Sequence, residues 1–334
     1  MKRIWVSLVM AALASCNAWV GNAWVGNAWA ESARQPLDDA WWTGPLLAPG
    51  AGTLPPGHFL FEPYFYDAIP TASVDAHGVS HPVARADNFG SQSYLIYGVA
   101  DRFTLGLIPR FAYKNPGNGA SGSSIAVGDL SLQGQYQLTQ FEEGHWLPTI
   151  AINLGETFPI GAYDRLNRPG DGFGAGAYAT ALSLYSQTYF WMPDGRLLRA
   201  RLNLTYTVSD SVDLTGMSVY GTEAGFRGHA SPGTSAVADL AFEYSIDRNW
   251  VAAVDFWAEQ DANTHVAGLM PSLPGLPPAA VENNLGSAHV FYVAPAVEYN
   301  FSGSFGVIAG ARIFVTGENK TATIVPLIAF NYVH

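Results

Sequence analysis

The amino-acid sequence predicts an all-β fold, a closed antiparallel up-and-down transmembrane β-barrel of about 12 strands. From about Gly57 to His334, apolar and polar residues alternate with the period of two that β-strands produce. The alternating runs are about 10 to 13 residues long, which suits tilted strands that cross a bilayer, whereas strands in soluble sheets are nearer to five or six residues. The connections between the runs alternate between short and long, as they do in outer-membrane barrels.

The composition of the 334-residue chain excludes several classes of protein. The one long uncharged run, from Ile4 to Ala30, lies at the N-terminus, whereas a polytopic helical membrane protein would contain several such runs. The formal net charge of -11 and the scattered Lys and Arg residues argue against a nucleic-acid partner. The single cysteine, Cys16, leaves no disulfide framework.

The N-terminus has the pattern of a secretory signal peptide. Lys2 and Arg3 precede an apolar stretch from Ile4 to Ala14, and the predicted signal peptide spans residues 1–30, ending in Ala28-Trp29-Ala30. Cleavage after Ala14 is an alternative, because Ala12-Leu13-Ala14 also has small residues at the required spacing.

A second reading of the N-terminus is a lipoprotein signal. Leu13-Ala14-Ser15-Cys16 is similar to a lipobox, in which Cys16 would carry the lipid. After the signal peptide, residues 31–56 are predicted to be a periplasmic or lumen-entering segment, and residues 57–334 to form the barrel.

Two runs illustrate the alternation. In Asp129–Leu138, Leu and Tyr side chains occupy one face, and Asp, Ser and Gln side chains occupy the other. In Arg199–Thr207, Leu202, Leu204 and Tyr206 oppose Arg199, Arg201 and Asn203. Each strand is therefore expected to turn an apolar face to lipid and a polar face to the barrel lumen.

The predicted links fall into two sets. Short links are expected at 101–102, 139–145, 193–195, 247–249 and 302–304. Longer links are expected between them at about 68–90, 115–124, 158–172, 208–235 and 261–286, and the last link, near 317–320, is short. Because periplasmic turns are the short ones in such barrels, both termini are predicted to be periplasmic, which requires an even number of strands.

Aromatic residues near the predicted strand ends indicate two interfacial girdles in contact with outer-membrane lipid and lipopolysaccharide. The candidates are Tyr64, Tyr66, Phe103, Tyr113, Tyr136, Tyr206, Tyr244, Trp250, Phe291, Tyr299 and Phe305. The last segment, Ile324–His334, resembles the terminal strand that the barrel-assembly machinery recognises, although it ends in His rather than Phe.

Several segments resemble the outer-membrane "MetA-pathway of phenol degradation" transporter family. They are Thr43–Pro49 followed by Thr53–Tyr64, then Gly128–Tyr136, and Pro148–Leu154 followed by Phe158–Gly161. The resemblance covers most of residues 42–334 and implies a channel-like barrel associated with hydrophobic or aromatic compounds. It implies no catalytic residues.

No motif in the sequence indicates an enzyme, a cofactor or a metal. The phosphate-loop, HExxH and GxSxG patterns are missing, and His77 and His81 have no accompanying Cys or carboxylate pair. One enzyme alternative is a membrane-embedded hydrolase, for which Ser287 and His289 are the candidates. Their spacing matches no catalytic motif that would distinguish them from other Ser and His residues.

Charged residues on the polar faces are the candidate functional residues. The basic ones are Arg110, Lys114, Arg199, Arg201 and Arg312, and the acidic ones are Glu62, Asp129, Asp239, Glu243, Asp255, Glu259 and Glu298. One interpretation is a polar pore whose charges steer solutes, and the other is an ion-pair lattice that fills a narrow barrel.

Two segments are candidates for closing such a lumen. The uncharged loop Val266–Val281 offers Leu269, Met270, Leu273 and Leu276 as gating residues, and the stretch Trp41–Pro49 could fold inward as a hatch. For both segments the alternative is packing against lipopolysaccharide or the barrel rim.

The predicted function is therefore an outer-membrane channel for passive uptake or efflux of small solutes, including hydrophobic or aromatic ones. The alternatives are a structural or adhesion barrel with a plugged interior, and the membrane-embedded hydrolase.

Overall fold

The computed structural model describes residues 34–116, 122–274 and 276–334, and the predicted signal peptide with Cys16 lies outside them. The fold is a closed antiparallel β-barrel of twelve strands, which confirms the predicted fold class and strand number. None of the helices in the described residues is long and apolar enough to cross a membrane.

The elements follow one another in simple up-and-down order. The barrel strands are β1 (Phe59–Asp67) with β2 (Ile69–Val74), β4 (Asp87–Ala100), β5 (Phe103–Ile108) with β6 (Arg110–Asn115), β7 (Ala126–Val127) with β8 (Leu130–Thr139), β9 (Thr149–Phe158), β10 (Ala179–Trp191), β11 (Leu197–Ser209), β14 (Ser235–Ser245), β15 (Trp250–Asp261), β18 (Ala288–Ser302), β19 (Phe305–Glu318) and β20 (Lys320–Val333). The other strands are β3 (Ser80–His81), β12 (Val212–Thr215), β13 (Arg227–Ser231), β16 (His265–Met270) and β17 (Ala279–Asn284), and short 3-10 helices lie at Leu37–Asp39 and Pro169–Asp171.

The barrel closes where its first and last strands meet. β1 pairs with β20 on one side, with Tyr64 opposite Ala329, and with β4 on the other, with Glu62 opposite Tyr94. The start of β1 and the end of the chain are joined by reciprocal backbone hydrogen bonds of 2.9 Å between Phe59 and His334. Closure leaves no unpaired barrel edge, as lipid requires.

The two faces of the barrel wall differ sharply in polarity. On β10, Leu182 is 56% exposed, while its lumen-facing neighbour Ser183 is buried. On β11, Leu202 and Leu204 are exposed and Arg201 is buried. Apolar side chains outside and polar side chains inside are the reverse of a soluble sandwich and match a membrane barrel.

The connections define two rims. The short-turn rim carries the links at 101–102, 140–148, 192–196, 246–249 and 303–304, and the long-loop rim carries the longer ones. The predicted link at about 68–90 is too long, because β2 continues to Val74 and β4 begins at Asp87. The single residue Asn319 joins β19 to β20 at the long-loop rim, with a positive φ of 56°.

Two of the predicted long links, 208–235 and 261–286, are not plain loops. They contribute β12, β13, β16 and β17, which pair into a separate four-stranded sheet above the long-loop rim, here called the outer sheet. This sheet has a small core of its own, in which Leu214, Phe226 and Val266 are almost completely buried. Its strands are short, and the pairing of β13 with β16 joins two links that are distant in sequence.

The predicted aromatic girdle is only partly correct. Tyr136, Tyr206 and Trp250 are exposed on the outer wall. Tyr64 and Tyr66, by contrast, face the lumen and line a cavity there. The cause is visible in β1, where both faces are largely apolar or aromatic, so that alternation does not indicate which face points outward.

Candidate functional site in the barrel lumen

Residues 34–56, here called the plug segment, lie inside the short-turn half of the barrel. Apart from one turn of 3-10 helix, the segment has no regular secondary structure. Pro45 and Pro49 have no N–H to donate, and Gly44 adopts a positive φ of 127° that other residues rarely take. The backbone of this segment must therefore find its hydrogen-bond partners on the barrel wall.

The plug segment is first held at the short-turn rim. The backbone N–H of Gln35 donates to the carbonyl of Gly195 at 2.9 Å, and its side chain donates to Ser245 Oγ at 2.9 Å. The N–H of Trp41 donates to the carbonyl of Arg248 at 3.2 Å. These contacts join the segment to two different turns.

Glu298 and Asn300 on β18 hold the next residues. Glu298 Oε2 accepts hydrogen bonds from the N–H groups of Thr43 at 2.7 Å and Gly44 at 3.3 Å. Asn300 accepts from the Thr43 hydroxyl at 2.9 Å and donates to the carbonyl of Trp41 at 3.0 Å.

Asp255 on β15 binds the innermost turn of the plug segment. Its carboxylate accepts three consecutive backbone N–H groups, from Leu46 at 3.1 Å, Leu47 at 3.2 Å and Ala48 at 3.0 Å. The side chain is fully buried. A buried carboxylate with several N–H donors resembles an anion held in a backbone nest, and such charge-assisted bonds are among the stronger ones.

The carbonyl groups of the same turn face donors on β11 and β8. Arg201 Nη1 donates to Ala48 O at 2.6 Å, and Asn203 Nδ2 donates to Pro49 O at 2.9 Å. Gln135 Nε2 donates to the carbonyls of Gly50 and Gly52 at 3.1 and 3.0 Å. The wall thus offers acceptors on one side of the segment and donors on the other.

A buried charge cluster lies beneath this turn. Glu243 on β14 pairs with both nitrogens of the Arg199 fork, with Nε at 2.6 Å, and also contacts Arg201 Nε at 3.2 Å. The Arg199 guanidinium also lies 4.5 Å from the centre of the Trp42 ring in the plug segment. One carboxylate therefore neutralises two buried cations.

Two other lumen carboxylates, Asp239 and Glu298, have buried oxygen atoms without a hydrogen-bond partner among the described residues. Both side-chain oxygens of Asp239, which is 1% exposed, lack a hydrogen-bond partner among the described residues. Oε1 of Glu298 also lacks one within this part of the chain.

A cavity of about 640 Å³ lies between the plug segment and the opposite wall. Its wall combines rings, aliphatic side chains and a few polar groups. The wall residues include Leu60, Glu62, Tyr64, Tyr66, Gln92, Tyr94, Ile96, Gln133, Arg201, Trp257, Arg312, Val325, Leu327 and Asn331. This volume and this mixture are typical of sites for small molecules.

Three of the sequence-predicted residues lie closer to the long-loop rim. Arg110 donates to Gln92 Oε1 at 3.0 Å and to Ser131 Oγ at 2.8 Å, and Lys114 donates to the carbonyl of Gly172 at 2.6 Å. Asp129 accepts the N–H groups of Gly161 at 2.9 Å and Ala175 at 2.7 Å. Asp129 thereby fastens the loop between β9 and β10.

The remaining predicted charges are distributed around the wall. Glu62 accepts a hydrogen bond of 3.0 Å from Asn331. Glu259 forms an ion pair of 2.9 Å with Lys320, which also contacts Asp261 at 2.5 Å. Arg312 lies with its guanidinium 4.7 Å from the centre of the Tyr292 ring.

The gating candidates lie on the outer sheet rather than around the cavity. Leu269 and Met270 belong to β16, and Met270 packs against the core of the outer sheet. Leu273 and Leu276 are 74% and 61% exposed. A gating role for these four residues stays a prediction.

The histidines form no metal-binding group with other ligands in the described part of the chain. His81 Nε2 lies 2.9 Å from Asp75, and this contact, with the N–H groups of Val79 and His77, lowers the pKa of Asp75 to about 2. His289 lies 3.7 Å from Glu318, and Ser287 accepts a hydrogen bond from Asn319 through its carbonyl.

Sequence reasoning missed the uncharged residues that hold the plug segment. Gln35, Gln135, Asn203 and Asn300 each supply at least one of its hydrogen bonds, yet only charged residues were selected as lumen candidates. The sequence does indicate three of them, because Gln135, Asn203 and Asn300 occupy the same alternating positions on their strands as the charged lumen residues.

The chain is similar in fold to solved outer-membrane proteins. An outer membrane channel from Pseudomonas putida F1 is 14% identical, with a TM-score of 0.64 over 86% of this chain and 100% of that chain. A mutant of the monoaromatic hydrocarbon channel TodX is also 14% identical, over 90% of this chain and 97% of that chain, with a TM-score of 0.49. The β domain of the Bordetella autotransporter BrkA is 12% identical, over 83% and 100% of the two chains, with a TM-score of 0.42.

The first of these likenesses agrees with the barrel fold described above. No protein-family model matches the sequence, and no curated protein matches it either.

Proposed function

We propose that the protein is an outer-membrane channel for small solutes that is closed from one side by its own plug segment. The observation that carries this proposal is the lumen itself, where a cavity of about 640 Å³ adjoins a segment without strands that is held by side-chain contacts. A barrel that served only as a membrane anchor would need neither a lumen cavity nor a segment inside the lumen that is not part of the β-sheet.

The lengths of the links at the two rims support the orientation that we propose. In this orientation the short-turn rim faces the periplasm. The start of β1 at Phe59, the C-terminal residue His334 and the base of the plug segment are then periplasmic. The long-loop rim and the outer sheet face outward, in contact with lipopolysaccharide. The barrel-assembly machinery would insert the chain through its final strand, β20.

For a solute to pass through the barrel, the plug segment must break its contacts with the wall and move. Apart from two backbone hydrogen bonds at the short-turn rim, its bonds to the wall are made with side chains, and none belongs to a β-ladder, so the barrel stays closed as a sheet when they break. Opening is therefore a local, reversible rearrangement with a free-energy difference that the contacting side chains set.

The solutes we propose are small molecules with an apolar body. Trp257, Tyr64, Tyr94 and Leu327 offer rings and aliphatic surface to the cavity. The resemblance to the phenol-degradation transporter family leads to the same class, because it implies hydrophobic or aromatic compounds.

The test is permeability of liposomes that contain the purified full-length protein. We expect faster entry of small aromatic and aliphatic solutes than into protein-free liposomes, and discrete current steps in planar bilayers. Liposomes that stay tight to a broad panel of solutes, both with the wild-type chain and with a variant that frees the plug segment, would refute the proposal.

One observation favours a second candidate, a structural barrel that is permanently closed. The plug segment is hydrogen-bonded to the barrel at its base, at Thr43 and at its innermost turn. Beneath it, Glu243 forms ion pairs with both Arg199 and Arg201. This candidate predicts no conductance in any variant that keeps the barrel folded, which separates it from a channel.

A further inference from the structure

Arg312 on β19 stands apart from the other cations of the lumen. Its guanidinium lies over the Tyr292 ring at 4.7 Å, and within the described residues it makes no hydrogen bond and no ion pair. Its Nε is buried without a partner, although the side chain lines the lumen cavity. Arg312 itself is partly exposed to the lumen, but its Nε is not, and a buried donor of this kind normally has an anionic or carbonyl partner.

The neighbouring cations all have such partners. Arg199 and Arg201 share Glu243, and Lys320 contacts Glu259 and Asp261. Arg110 donates to Gln92 and Ser131, and Lys114 donates to a backbone carbonyl. Among the lumen cations in the described ranges, Arg312 is the one that makes neither a hydrogen bond nor an ion pair.

Arg312 and Glu62 lie at opposite ends of the cavity, and the other cation on its wall, Arg201, already contacts Glu243 and the carbonyl of Ala48. Arg312 lies opposite Val325 in the β-sheet register, whereas Glu62 is hydrogen-bonded to Asn331. Six residues of β20 separate Val325 from Asn331, a distance of about 20 Å along the strand. The free guanidinium is therefore at the long-loop end of the cavity, and the carboxylate is at the plug end.

The wall between these two ends is mainly apolar. Val325 and Leu327 lie on β20, and Tyr64 and Trp257 line neighbouring parts of the cavity. Tyr64 and Tyr94 meet edge to face with ring centres 5.7 Å apart, a geometry that leaves ring surface for a third ring.

We infer that the cavity binds small aromatic carboxylates, with the carboxylate on Arg312 and the ring between Trp257, Tyr64 and Leu327. The planar guanidinium can donate two parallel hydrogen bonds to a carboxylate, which also supplies the missing countercharge. Glu62 at the opposite end disfavours the reversed orientation, in which the anion would approach a second carboxylate. This inference rests on the proposed function and names the solute class of the same lumen.

The test is binding of benzoate to the full-length protein in detergent, measured by isothermal titration calorimetry. Benzyl alcohol serves as the neutral probe of similar shape. We expect benzoate to bind saturably, about tenfold more weakly to Arg312→Gln than to the wild type, with intermediate binding to Arg312→Lys. Benzyl alcohol should bind the wild type and Arg312→Gln equally.

The control variant is Lys320→Gln, which removes a lumen cation that already has carboxylate partners. It should leave benzoate binding unchanged. Compact mobility before boiling, measured for every variant, verifies that the barrel is folded.

Equal benzoate affinity in the wild type and Arg312→Gln, or no saturable benzoate binding, overturns the inference. The proposed function fails separately, because it is judged from the current steps of the protein in salt solution without any aromatic solute. Current steps without benzoate binding would leave a channel whose solutes are not aromatic carboxylates.

Discussion

Arg201, on the wall of the barrel, donates a hydrogen bond of 2.6 Å to the carbonyl oxygen of Ala48 in the plug segment. The contact joins two parts of the chain that are 153 residues apart. It lies next to the three N–H groups that Asp255 accepts, so one turn of the plug segment is held through both its donors and its acceptors.

Replacement of Asp255 by Ala should free the plug segment. Three backbone N–H groups would lose their acceptor, at a cost of about 1–3 kcal/mol for each group left buried without a partner. The frequency of current steps in planar bilayers should rise by more than about tenfold over the wild type. Asp213→Ala, which removes an exposed carboxylate of the outer sheet, should change nothing, and an equal rise in both variants would refute the role of Asp255.

Glu243→Ala should destabilise the barrel more than Arg201→Ala does. The loss of Glu243 leaves Arg199 and Arg201 buried without their shared ion-pair partner, at a cost of about 3–5 kcal/mol. In Arg201→Ala, by contrast, Glu243 still forms its ion pair with Arg199. The measurement is the free energy of unfolding in urea with detergent. Equal losses, or a larger loss for Arg201→Ala, would show that the shared carboxylate is not the centre of the cluster.

Gly98→Ala should disturb the base of the plug segment. A Cβ at Gly98 would collide with the carbonyl oxygen of Pro55 and lie 2.8 Å from that of Leu54, so the backbone must shift. We expect faster cleavage of residues 34–56 by a protease added to the protein in detergent. Gly134→Ala is the matched control, because its Cβ would have ordinary contacts of 3.5 Å or more. Unchanged cleavage in Gly98→Ala would contradict this close approach.

Asp75 provides a pH-dependent contact in the link between β2 and β3. Its pKa is lowered to about 2 by His81 first and then by the N–H groups of Val79 and His77. Because the folded pKa lies below the unfolded value of about 3.9, its contribution is present above about pH 4 and is lost as the pH falls toward about 2. His81→Ala should raise the pKa of Asp75, measured by carbon NMR of the carboxyl group, and an unchanged pKa would exclude His81 as the main cause.

The alternation of residues predicted the barrel because the two faces of most strands differ in polarity. On β11, Leu202 and Arg201 could be assigned to opposite faces from the sequence alone, and their exposure agrees. On β1 the assignment of Tyr64 was wrong, because its neighbours on both faces are apolar or aromatic. Periodicity indicates orientation only where one face is polar.

The outer sheet and the path of the plug segment could not be predicted in the same way. β13 pairs with β16, yet these short strands belong to two loops that are separated by two barrel strands. Asp255 was selected as a lumen residue, but its hydrogen-bond donors are backbone groups more than 200 residues away. Such pairings depend on the closed barrel, which local sequence patterns do not describe.

The most direct test of the account is a reversible covalent lock between the plug segment and the wall. Thr43 and Asn300 are in side-chain contact at 2.9 Å, so Thr43→Cys with Asn300→Cys should allow a disulfide to form in a chain that also carries Cys16→Ser and Asp255→Ala. If residues 34–56 close the barrel, current steps through this chain in planar bilayers disappear on oxidation and return with dithiothreitol. Current steps that persist when gel analysis shows the disulfide to be complete would contradict closure of the barrel by residues 34–56.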